Sequence, residues 1–103
     1  MTHPLSEQYR IVAKSWVEAN KVASLLEETK SARLSQMKKA LGDIPDSRAE
    51  TTVKASPEWT ALVSEMIEAR SKSNLLMVQM AYIRMRAAEQ ASSEASARAE
   101  MRL

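Results

Sequence analysis

The sequence has no cysteine, no phenylalanine, a single glycine (Gly42), a single histidine (His3) and three prolines. Each shortage excludes something. Without cysteine there is neither a disulfide nor a thiolate metal site, and the redox compartment stays undetermined. One histidine, in the N-terminal segment, leaves a His-based triad or zinc site without a second member. One glycine rules out a Gly-rich phosphate loop. Serines and threonines are numerous, but no base stands beside them, and the carboxylates lie among lysines and arginines as on solvated helix faces. The residues argue against an enzyme, with no cofactor and no metal expected. No run approaches the roughly 20 apolar residues of a membrane span, and Met-Thr-His-Pro-Leu-Ser-Glu carries no apolar signal-peptide core. The expectation is a soluble cytoplasmic protein with no membrane contact.

What the chain does have is Ala, Met, Leu, Glu, Lys and Arg in abundance. Strand formers are too scattered to alternate over a useful run, so an all-α fold in one domain, residues 1–103, is expected. After a loose lead-in ending at Pro4, a first helix is predicted over about 5–41, stopped by Gly42. Its apolar stripe is Leu5, Tyr9, Val12, Trp16, Ala19, Ala23 and Leu26, widened by Val22 and Leu25. Lys30 and Arg33 interrupt it, and Leu34, Met37 and Leu41 resume it on a shifted face, so the second half is expected to pack less well. The connector, 42–56, holds a short helical turn over Ser47–Val53, capped by Asp46 or Ser47 with Glu50 closing a capping box.

The organising element is a long helix over about 57–100. Ser56 is a strong N-cap, Pro57 suits the first helical position, and Glu58 suits the positive end of the dipole. Trp59, Leu62, Met66, Ala69, Ser73, Leu76, Met80, Ile83 and Ala87 follow in steps of three and four, a helical heptad stripe. The helix outruns the first by roughly ten residues, and its end is rich in Ala, Ser, Glu and Arg.

Two long helices and a short connector predict a long antiparallel hairpin. Trp16, Leu26, Trp59, Leu62, Met66, Leu76, Met80 and Ile83 would carry its packing. Such a core is thin, and between Leu75 and Met85 nearly the whole circumference of the long helix is apolar. A helix of that kind must touch more than one partner. Completion by homo-oligomerisation is therefore expected, with Leu75, Leu76, Met77, Val78, Met80, Ala81, Ile83 and Met85 as the interface candidates.

A net charge of +2 implies no nucleic acid by itself, but its distribution is uneven. No acid falls between Thr29 and Gly42 or between Ala69 and Ala88. Lys30, Arg33, Lys38, Lys39, Lys54, Arg70, Lys72, Arg84 and Arg86 are the electrostatic candidates. In a hairpin, Lys38 and Lys39 are expected within reach of Arg70 and Lys72, forming a basic zone at the connector half. Such a zone neutralises phosphates without reading sequence, and no groove-reading motif is visible, which favours single strands. Tyr82 and Trp59 are available to stack bases, although their place on or beside the apolar stripe points to packing. The methionines at 66, 77, 80 and 85 suit irregular cores and adaptable binding surfaces by type, and core or oligomer packing is the favoured reading over a groove for a foreign partner helix.

Tyr9 and Trp16 in the first helix, Leu25-Leu26-Glu27 with Lys30, the Gly42-Asp43 break, Lys54-Ala55-Ser56, and Glu68-Ala69-Arg70 with Asn74 resemble small phage-encoded helical proteins. The layout is most similar to phage recombination mediators of the UvsY type. The resemblance covers most of the chain as architecture and rests on spaced single residues. It implies an oligomeric accessory factor of homologous recombination that binds single-stranded DNA and helps load a recombinase onto strands covered by a single-strand-binding protein. It also implies the cytoplasm of a phage-infected or prophage-carrying bacterium. The competing expectation is a phage adaptor or inhibitor that binds a host or viral protein through the Met-rich long helix.

Overall fold

A computed structural model describes residues 4–102. It contains three helices and, among the described residues, no strand: α1 (Leu5–Ala40), α2 (Asp46–Lys54) and α3 (Pro57–Met101). The molecule is a rod of 84 × 23 × 18 Å. α1 and α3 run antiparallel along its length, and α2 packs against both at the connector end.

The helix boundaries follow from local chemistry. The backbone carbonyl of Pro4 starts α1 by accepting from the Gln8 amide, with no side-chain cap. At the other end Gly42 takes φ +86°, the one left-handed residue described, and its amide bonds the Lys39 carbonyl. A Cβ there would meet nothing within 4 Å. The requirement for glycine is thus conformational, since other residues pay about 1–2 kcal/mol in that region. α3 starts as expected: the Ser56 hydroxyl accepts from the Trp59 amide at 3.3 Å and Pro57 fills the first turn.

The connector differs from expectation. α2 begins at Asp46 behind Pro45, and neither Asp46 nor Ser47 makes a side-chain cap. Glu50 closes no capping box and instead pairs with Lys54 at 2.9 Å, one turn further on. The hydroxyls of Thr51 and Thr52 bond back to the carbonyls of Ser47 and Arg48, and the helix runs on to Lys54.

The core has two textures. At the connector end Val53, Trp59 and Leu62 are buried together, with Leu34, Met37, Val63 and Met66 packed against them. The second half of α1, expected to pack less well, therefore supplies part of the bulkiest cluster. Arg33 marks a change of face there, not an end of packing. In the middle of the rod the buried residues are small: Ala19, Ala23 and Ser73. Small side chains let two helices approach closely. Met80 and Ile83 are buried further along. Val22 and Leu25 do not widen the stripe, because each is more than half exposed. They lie outside the arc that a single partner helix covers.

Candidate association surface and basic residues

Three cross-links fix the register of the hairpin. Lys30 Nζ lies 5.8 Å from the Trp59 ring centroid. Arg70 reaches across to Glu27 (2.6 and 3.0 Å), Asn20 Oδ1 (2.8 Å) and Ser24 Oγ (3.4 Å). Arg84 donates to the Tyr9 hydroxyl at 2.8 Å, its guanidinium 5.4 Å from that ring. Residues whose numbers add to about 93 therefore face each other.

This register separates the cations that the sequence brought together. Lys38 lies beside α2, paired with Asp46 at 2.5 Å. Arg70 stands opposite Asn20–Glu27, so Lys38 and Lys39 are more than three helical turns from it, on the order of 20 Å. The single basic zone at the connector half does not form, because an antiparallel partner aligns the end of α1 with α2 and the start of α3. Most of the candidates also have partners already. Lys54 holds Glu50, Arg70 holds Glu27, and Arg86 approaches the Tyr82 hydroxyl at 3.4 Å. The side chains of Arg33, Lys39 and Lys72 have no hydrogen-bond or ion-pair partner among the described residues, and neither does that of Arg48 on α2.

The Arg70 cluster is the feature that the sequence reading missed. Asn20, Ser24 and Glu27 recur in steps of four and three along one edge of the α1 stripe, a signal that was available. The guanidinium of Arg70 holds the Glu27 carboxyl below its usual range, and Glu27 raises Arg70. The bond from Lys54 lowers Glu50 in the same way. These are structural pairings between or within helices. His3 lies outside the described residues, and no group of three or more His, Asp or Glu that would hold a metal occurs among those described.

The grooves beside the helix contact offer little chemistry. One, of about 780 Å³, runs between Val22, Leu26 and Leu76, rimmed by Lys14, Glu18, Glu65, Glu68 and Lys72. A second, of about 450 Å³, lies between Tyr9, Trp16, Met77 and Arg84. Both are open, and the Ser15 hydroxyl that lines the first makes no hydrogen bond to a side-chain base among the described residues. Among the described residues, no helix is long and apolar enough to cross a membrane.

The largest unpartnered feature is a face of α3. Of the interface candidates, Leu76 is half-buried and Met80 and Ile83 are buried within the hairpin. Those three complete the hairpin core and are withdrawn from the interface. Leu75, Met77, Ala81 and Met85 stay exposed, as does Val78. Leu75, Met77, Val78 and Met85, with Ile67 and Tyr82, are six large apolar side chains that are 50–65% exposed on one helix. Trp59 packs as expected, whereas Tyr82 does not. Comparison of the chain with protein families, curated proteins and solved structures gives no match.

Proposed function

We propose that this protein acts by association and not by catalysis: a helical-hairpin accessory protein that assembles with itself through the exposed face of α3. The observation that carries this reading is the set Ile67, Leu75, Met77, Val78, Tyr82 and Met85, which the hairpin leaves half or more exposed. Exposed apolar surface of this extent on one element is characteristic of an interaction site. The test is light scattering and sedimentation of the wild type and of Val78→Glu/Met85→Glu. The wild type is expected to be oligomeric and the variant monomeric with unchanged helical circular dichroism, since both positions lie outside the hairpin core. A wild type that stays monomeric at high micromolar concentration would sink the proposal.

A second activity, binding of single-stranded DNA, is favoured by Arg33, Lys39 and Arg48, cations near the connector with no carboxylate partner, together with Lys30. Assembly multiplies these cations. This activity corresponds to the recombination-accessory role that the resemblance implies. Anisotropy of a labelled oligonucleotide at low and moderate salt tests it, because phosphate contacts weaken steeply with salt. Arg33→Ala/Lys39→Ala/Arg48→Ala is expected to weaken binding severalfold. No binding at low salt would discard it, leaving a role as an adaptor among proteins.

A further inference from the structure

α3 carries two heptad frames. The first, from Trp59 to Ala87, faces α1 and holds the buried residues Trp59, Leu62, Ser73, Met80 and Ile83. The second alternates steps of four and three: Ile67, Ser71, Asn74, Val78, Ala81, Met85, Ala88, Ser92, Ala95 and Ala99. Leu75, Tyr82 and Met77 flank it. Every residue of this second frame is exposed. Its larger members, Ile67, Asn74, Val78 and Met85, all lie in the first part, with Ser71 and Ala81 between them, and from Ala88 onward it holds only Ala and Ser. By the hairpin register Leu5, where α1 starts, lies across from the neighbourhood of Ala88, so Glu89–Met101 projects past α1 and is exposed throughout.

We infer that the occupant of the bulky half is the small half of a second copy, laid antiparallel so that each projecting end covers the partner hairpin. This inference rests on the association reading above and specifies its geometry. With a two-fold axis near Ile83, Ile67 meets Ala99 of the other copy, Ser71 meets Ala95, Asn74 meets Ser92, Val78 meets Ala88, and Ala81 meets Met85. Large opposes small at most levels, and the polar Asn74 finds a polar partner. That is the complementarity a close two-helix contact needs.

Area supports a second copy. Six large side chains at this exposure leave on the order of 500–600 Å² of apolar surface, at the upper end for the largest patch on a typical monomer. A symmetric pairing doubles it, reaching the roughly 1,000 Å² at which specific interfaces begin. Charge selects the direction. A parallel, in-register pair would set the acid-free span 69–88 against its twin, with Arg70, Lys72, Arg84 and Arg86 on both sides. The antiparallel pair sets residues 69–77 of that span against residues 89–97, which carry Glu89 and Glu94, with Lys72 level with Glu94, and leaves only Arg84 and Arg86 near their own copies at the axis.

The absence of native cysteine permits a clean test. Ser71→Cys and Ala95→Cys are prepared separately, both at exposed positions, then mixed and oxidised. The expected product is a covalent heterodimer at several-fold higher yield than either variant gives alone. Self-linkage of each variant at equal yield would mean a parallel pair and would overturn the inference while leaving self-association standing. A non-covalent dimer with no cross-link would place the interface elsewhere and overturn it too. A protein monomeric by light scattering would remove both this inference and the reading beneath it.

Discussion

The two ends of the hairpin interface are built on different principles. At the connector end, Trp59, Leu62 and Val53 interlock with Leu34 and Met37, so the contact is made of volume. In the middle, Ala19, Ala23 and Ser73 bring the helices close with little apolar area. The alignment there is held at the edge by Arg70 and its acceptors on α1. Bulky packing supplies most of the free energy, because apolar burial is worth roughly 25 cal/mol per Å². Polar cross-links supply little net energy but discriminate between registers, since a slip of one turn leaves a charged group without its partners. A rod with a thin core uses the first to exist and the second to be aligned.

The largest break in this comparison is Trp59→Ala. It is expected to cost about 3–5 kcal/mol, the range for deleting a large buried aromatic, and to lower the urea midpoint steeply. A loss below about 1 kcal/mol, at the bottom of what core truncations cost, would mean that the connector cluster does not dominate. Next comes Ser73→Leu, which inserts volume where the helices touch and is expected to cost about 1–3 kcal/mol. Ser73→Ala sharpens that result. The Ser73 hydroxyl is fully buried without a hydrogen-bond partner among the described residues. Removing it is expected to raise stability by about 1 kcal/mol, the lower range for an unpaired buried polar group. If both substitutions destabilise equally, close approach is not what the middle of the rod requires.

The smallest effect concerns the edge. Glu27 has its folded-state pKa lowered by the hydrogen bonds from Arg70. Its contribution is therefore present above the unfolded value of about 4.3 and is lost as pH falls through the lowered folded value. The wild type should lose more stability than Glu27→Gln between neutral pH and pH 3, measured by urea titration. The gap should narrow at high salt, because both partners are partly solvated. Parallel curves at all pH values would remove Arg70–Glu27 from the account of alignment.

Much of the fold was legible. Ser56-Pro57-Glu58 fixes a helix start, Gly42 fixes a helix end, and the stripe from Trp59 to Ala87 fixes which face of α3 meets α1. These are one-dimensional facts of capping and period. The candidate sites were legible only in part. The sequence shows that the circumference of α3 between Leu75 and Met85 is apolar. It does not show that Met80 and Ile83 belong to the hairpin while Val78 and Met85 do not, because that division depends on how wide an arc α1 covers.

The sequence by itself determined three helical segments, their boundaries within a few residues, and the surplus of apolar surface on the last. Only the tertiary structure decided the register. Periodicity repeats every seven residues, so one hairpin and its slipped neighbours look alike along the chain. Long-range partners such as Arg70 with Glu27 and Arg84 with Tyr9 tell them apart. That same register sets Lys38 and Lys39 beside α2 and away from Arg70, and Lys38 pairs with Asp46 there. It thereby dispersed a basic zone that the order of residues had suggested.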